Sequence, residues 1–80
     1  MEIQVLVFGV ARDYTGQRQL MLNIPENIRV GKFREIMETR FPGLKTIGSY
    51  AIAINKEYAE DNFLISVSDE LAIIPPVSGG

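Results

Sequence analysis

The sequence ends in Pro75, Pro76, Val77, Ser78, Gly79 and Gly80, and these six residues are where its chemistry is expected. Prolines hold φ near about −65° and donate no N–H, so a strand must stop before Pro75 and the chain must leave the body as a stiff, extended lead. Gly79 and Gly80 carry no Cβ, so they can pass a channel too narrow for other residues. Fully extended, six residues at roughly 3.3–3.6 Å each reach on the order of 20 Å, enough to enter a buried site on another protein. The group delivered is the Gly80 carboxylate, which with an ordinary pKa of about 3.3–3.7 is ionised at neutral pH and is a poor acyl donor. It needs activation, and the chemically direct route is an acyl adenylate made by a separate ATP-using enzyme, since nothing in the sequence resembles a nucleotide site. ATP is then spent by the partner, and this chain is expected to bind no cofactor.

The residue census narrows the chemistry further. The 80 residues include no cysteine and no histidine, which excludes disulfides, thiol nucleophiles, histidine general bases and the usual zinc sites, so no metal is expected. Asp13, Glu57, Glu60, Asp61, Asp69 and Glu70 could do acid–base work, but they fall in turns without basic partners or ligand spacing and read as solvated. Lys32, Lys45 and Lys56 read as surface charges. A formal charge of −2 with no lysine or arginine run argues against nucleic acid and anionic membrane as partners. Nothing reaches transmembrane length, and Met1-Glu2 lacks the basic start of a signal peptide, so a cytoplasmic location is expected.

The elements that must position the tail follow from patterning in a chain short enough to be a single domain, residues 1–80, with 74–80 as the projecting tail. Ile3 to Val10, β-branched and aromatic, is the first strand. Arg12 to Gly16 is a turn, and Gln19 to Ile24 is the returning strand, with Leu20, Leu22 and Ile24 on one face and Pro25 and Asn27 closing it. Val30, Phe33, Met37 and Phe41 recur at helical spacing, predicting one helix over Val30–Arg40 that Pro42-Gly43 ends, with Arg34 and Glu38 placed for an i,i+4 pair. Leu44 to Ser49 is loop. Tyr50–Ile54 is a strand, Asn55–Glu57 a turn into Tyr58, Phe63–Ile65 a short extended piece, and Leu71–Ile74 the last strand. The order ββαβ(β)β with one helix on one mixed sheet is an α+β roll with the last strand central.

Alternation along the outer strands gives a second functional expectation. With Ile3, Val5 and Val7 toward the helix, Leu6 and Phe8 face away. With Leu71 and Ile73 inward, Ile74 points out beside them. A single helix covers one face of a sheet, so Leu6, Phe8, Ile74 and Tyr58 form an apolar patch at the base of the tail, where a partner receiving that tail has to bind; the alternative readings are scattered surface hydrophobes or a homodimer contact.

With these residues in view, the chain resembles the small subunits of molybdopterin synthase, within the ubiquitin-like β-grasp sulfur carriers. The resemblance is carried by Pro75-Pro76-Val77-Ser78-Gly79-Gly80, the preceding Asp69-Glu70-Leu71-Ala72-Ile73-Ile74, Ala53-Ile54-Asn55 with Tyr58 after it, and the opening Val5-Leu6-Val7-Phe8 with Ala11-Arg12 and Gly16. It implies that Gly80 is adenylated by an E1-like adenylyltransferase, converted to a thiocarboxylate by a sulfur-donating enzyme, and inserted into the synthase large subunit. There the sulfur passes to a cyclic pyranopterin monophosphate precursor of the molybdenum cofactor. The chain is then a donor subunit without catalysis of its own, in a complex of two small and two large subunits. The resemblance also implies that Phe8, Tyr58 and Ile74 lie on the subunit interface. Two residues depart from the family pattern: Ser68 stands where glycine is frequent, and Arg29 where a Ser or Thr helix cap is usual. The same tail would serve a carrier for thiamine thiazole or transfer-RNA thiolation, a modifier joined to lysines by an isopeptide bond, or an interaction module with an inert tail. Arg12 has two readings, an anchor for the first hairpin or a partner contact.

Overall fold

The computed structural model describes residues 1–76; Val77, Ser78, Gly79 and Gly80 lie outside the described residues. Five strands, β1 (Glu2–Val7), β2 (Gln19–Asn23), β3 (Ala51–Ile54), β4 (Glu57–Ala59) and β5 (Glu70–Ile74), form one sheet in the order β2-β1-β5-β3-β4. β1 and β5 run parallel, and every other neighbouring pair is antiparallel. This is the expected α+β β-grasp arrangement, with the last strand in the centre.

Helix α2 (Val30–Arg40) packs on one face. Val30, Phe33 and Met37 are fully buried against Ile3, Val5, Val7, Leu71 and Ile73, so the stripe read from spacing is the core contact. Arg29 makes no side-chain cap. The helix start is satisfied from elsewhere: the N–H groups of Val30 and Gly31 donate to the carbonyls of Phe63 and Asp61, both at 2.9 Å. That close approach needs Gly31, because a Cβ there would stand 3.3 Å from that of Asp61. The Phe63–Ile65 piece is therefore a helix-capping strap, with only one bridge, Arg29 to Leu64, of strand character.

Several boundaries differ from the sequence reading. The first strand ends at Val7 rather than Val10, because Gly9 turns the chain at φ +56°. The Arg12–Gly16 turn is instead a short helix, α1 (Ala11–Thr15), closed by Gly16 in the left-handed region. Pro42–Ile47 is a 3-10 helix rather than the end of α2 and a loop, with Pro42 suited to a helix start and Leu44 fully buried. The Arg34–Glu38 pair does not form. Arg34 bridges Asp61 at 3.3 Å, donates to the Tyr50 carbonyl at 2.9 Å and stacks on the Tyr50 ring, while Glu38 accepts the Tyr50 hydroxyl. Asp61 thus has a basic partner, contrary to its reading as a free turn residue. Asp69 is a turn clasp, accepting from Asn55 and from the backbone N–H of Ser66. Among the described residues no helix is long and apolar enough to cross a membrane.

Candidate functional site

The face of the sheet opposite α2 carries a groove of about 310 Å³. Its construction follows from register. Leu6 pairs with Ala72 across β1 and β5, Ala72 with Ala53 across β5 and β3, and Ala53 with Tyr58 across β3 and β4. One row therefore crosses four strands with small residues in the middle. Ala72 and Ala53 make the floor, Leu6 and Phe8 one wall and Tyr58 the other, and Ile74 closes the end from which the chain departs. All four residues expected on the outer face, Leu6, Phe8, Tyr58 and Ile74, are brought together here. Phe8 is 41% exposed and Tyr58 76%, so both walls stand largely free.

Alternation at Leu6 and Ile74 did not single out Ala53 or Ala72. The signal was present, since Ala72 is two residues from Ile74 and must share its face. Lys56 and Glu70 were read as solvated charges, yet both line the groove. Lys56 holds φ +73° as the second residue of the tight Asn55-Lys56 turn between β3 and β4, a place where glycine is preferred. Among the described residues the one ion pair is Arg34–Asp61, and neither groove charge is paired with another of them.

Arg12 makes the contacts of its anchoring reading. Its Nε donates to the Val7 carbonyl at 2.8 Å, and its guanidinium lies 5.8 Å from the centre of the Phe8 ring. It therefore anchors the end of β1 and backs one groove wall. Phe8 is beyond the strand, but its N–H still reaches the Ile73 carbonyl at 3.2 Å, which continues the β1–β5 contact and sets the ring over the groove.

Where the chain leaves the sheet, Ile74 is the last residue of β5 and pairs with Ala51. Pro75 is buried and Pro76 exposed. Of the stretch 74–80 taken as projecting, Ile74 and Pro75 therefore belong to the body, because pairing runs through Ile74 and packing continues one residue past the point where proline stops the strand ladder. Gly80, Gly79, Ser78 and Val77 lie outside the described residues. No cluster of metal-binding side chains occurs among the described residues.

Comparison with known proteins places this architecture. The model of the ThiS family matches residues 5–80. The molybdopterin synthase sulfur carrier subunit of Arabidopsis thaliana is 41% identical over 81 residues, covering all of this chain and 84% of the relative. Two solved structures share the fold. SAMP1 from Haloferax volcanii superposes with a TM-score of 0.86 at 22% identity, covering both chains fully. A complex of subunits 1 and 2 of the molybdopterin-converting factor from Helicobacter pylori matches with a TM-score of 0.71 at 22% identity, again covering both chains fully. The chain belongs to the ThiS family of ubiquitin-like β-grasp sulfur carriers.

Proposed function

We propose that this chain is the sulfur-donating subunit of a molybdopterin synthase, working through its Gly80 terminus. The observation that carries the reading is the apolar groove lined by Leu6, Phe8, Tyr58 and Ile74 at the exit of the central strand. A partner seated there is at the root of the tail, and the five residues from Pro76 to Gly80 have a contour of at most about 18 Å with which to reach its active site. The relative from Arabidopsis, similar over the whole of this chain, bears the matching name, and the H. pylori protein of like fold is seen with its subunit 2.

The chemistry balances without a side-chain nucleophile in this chain. A Gly80 carboxylate oxygen attacks the α-phosphorus of ATP in an adenylyltransferase and releases pyrophosphate. A sulfur-donating enzyme then delivers sulfide-level sulfur to the acyl carbon, AMP leaves, and a thiocarboxylate remains. In the large subunit that sulfur attacks a carbon of the pterin precursor, an oxygen substituent leaves that carbon, and water hydrolyses the resulting thioester, leaving the sulfur on the pterin and restoring the carboxylate. With no cysteine anywhere in the sequence, the terminus is where this chain can hold sulfur. Its own residues supply docking and aim: the groove binds, Pro75 and Pro76 stiffen the lead, and Gly79 passes a narrow entry. The complex pairs two small with two large subunits in the cytoplasm.

The test is the intact mass after incubation with ATP, the cognate adenylyltransferase and a sulfur source. A gain equal to exchanging one oxygen for sulfur, localised to Gly80, is expected, and deletion of Gly80 should abolish it. An unchanged mass, with the adenylyltransferase shown competent on another carrier, overturns the reading. Conjugates to target lysines would replace it with protein modification.

A further inference from the structure

The buried position of Pro75 is made by a residue far from it in sequence. Gly9 follows Phe8 at the end of β1 with φ +56°, and a Cβ added there would stand 2.9 Å from Pro75 Cγ and 3.7 Å from its Cδ. The first of these is closer than real Cβ contacts come. The ring cannot swing aside like the end of a long side chain, since it is bonded to its own backbone at both N and Cα; relief requires the chain to shift as it leaves β5. The Gly9 loop is itself fixed. Its carbonyl accepts from Arg12 N–H at 3.1 Å, Ala11 N–H reaches the Phe8 carbonyl at 3.2 Å, and Arg12 Nε holds Val7. Gly9 thus forms a rigid, side-chain-free seat, and the residue beside it, Phe8, is a wall of the groove.

We propose that Gly9 is a positioning residue for the tail: by seating the Pro75 ring it sets the direction in which Pro76 and the reactive terminus leave the sheet. The inference rests on the reading of Gly80 as the sulfur-bearing group. Docking is the work of the groove, whereas the seat governs where the terminus arrives once docked, and reacting groups misplaced by about 1 Å can lose on the order of 100-fold in rate.

The test separates arrival from docking. Asparagine tolerates positive φ, so Gly9→Asn introduces chiefly the Cβ contact. With thiocarboxylated protein and saturating large subunit, single-turnover sulfur transfer should slow at least about tenfold while Kd stays within about threefold. On a Pro75→Ala background, where the ring is gone, the same substitution should slow transfer less than about threefold. A smaller effect of Gly9→Asn alone, or one carried over undiminished to the Pro75→Ala background, overturns the seat. Should Gly9→Asn not fold, Pro75→Ala alone must slow transfer at unchanged Kd, and an unchanged rate overturns it. An arm independent of sulfur chemistry uses spin labels at Glu35→Cys and Ser78→Cys, unambiguous in a chain without cysteine. Gly9→Asn should shift their distance distribution, and Pro75→Ala should suppress that shift. No shift overturns the seat whatever the transfer assay gives, while a shift beside wild-type protein that carries no sulfur overturns the functional reading and leaves the seat standing.

Discussion

Tyr58→Ala isolates docking from folding better than any other change in the groove. The side chain is 76% exposed on the three-residue edge strand β4, so the fold has little to lose: exchanges at strand positions span only about 1 kcal/mol, and an unfolding temperature within about 8 °C of wild type is expected. The partner has much to lose. A tyrosine presents on the order of 200 Å², so three-quarters exposure leaves about 150 Å² to be covered. At about 25 cal/mol per Å² that is a ceiling near 4 kcal/mol. Ordering the ring and desolvating its hydroxyl subtract from it, and taking about half as the surplus gives about 2 kcal/mol, or roughly 30-fold in Kd.

The assay is calorimetric or optical titration of the large subunit with wild type, Tyr58→Ala and Val67→Ala. Val67 is the control, because it is 66% exposed but lines no part of the groove. The expected result is a Kd raised about 30-fold for Tyr58→Ala and within about twofold of wild type for Val67→Ala. An unchanged Kd for Tyr58→Ala, or equal losses for both, would refute the placement of the docking surface on this face.

Three further changes probe the scaffold. Tyr50 has its pKa raised well above the ordinary 10.0, by burial first and then by its hydrogen bond to the Glu38 carboxylate. The folded state therefore keeps a proton that the unfolded chain gives up; stability from this group is whole below about pH 10 and falls as pH rises above it. Tyr50→Phe should flatten that alkaline decline in urea midpoints, and an identical decline would show that another group causes it. Lys56→Gly should relieve left-handed strain at φ +73° worth about 1 kcal/mol and raise the unfolding temperature by roughly 4–8 °C; a melting curve that stays put or falls would mean the turn is unstrained. Phe33 is fully buried at the centre of the helix–sheet contact, and Phe33→Ala should cost about 3–5 kcal/mol, much of what an 80-residue domain has. Circular dichroism should show the chain largely unfolded or melting far lower, and a loss below about 1 kcal/mol would place the core elsewhere.

What the sequence made legible was whatever depends on a residue's near neighbours. The stripe Val30, Phe33, Met37 gave the helix to its terminal residues, and the alternation of Val5, Leu6, Val7 separated core face from groove face. What it hid depends on partners far along the chain. Arg34 had a plausible carboxylate at Glu38, one turn away, but the fold offers Asp61 and the Tyr50 ring and carbonyl instead. The helix lacked a capping side chain at Arg29, and the cap comes from carbonyls more than thirty residues later. The five-residue helix at Ala11–Thr15 is too short to announce itself by periodicity and is held by contacts such as that of Arg12 with Val7. Gly9 fell inside the expected first strand and nothing near it marked its role, because the reason for it is the ring of Pro75.

The groove and the tail exit are one device, because both are built on the same strand. β5 is central, so its outward residues lie in the middle of the sheet, and alanine at 72 beside alanine at 53 leaves a trough where larger residues would have made a ridge. Ile74 closes that trough, and no more than about 7 Å of chain separates it from Pro76. A partner that fills the trough therefore fixes the origin of the tail to within a residue or two, without touching the tail itself. Placing the same groove on an edge strand would have left the root of the tail as free as the edge. The parallel pairing of β1 with β5 adds the second constraint, since it brings the end of β1, with Phe8 in the wall and Gly9 under Pro75, to the same end of the sheet as Ile74. Position comes from one strand and direction from its neighbour, which is what the proposed role, a reactive group carried on the terminus, needs from a fold of this size.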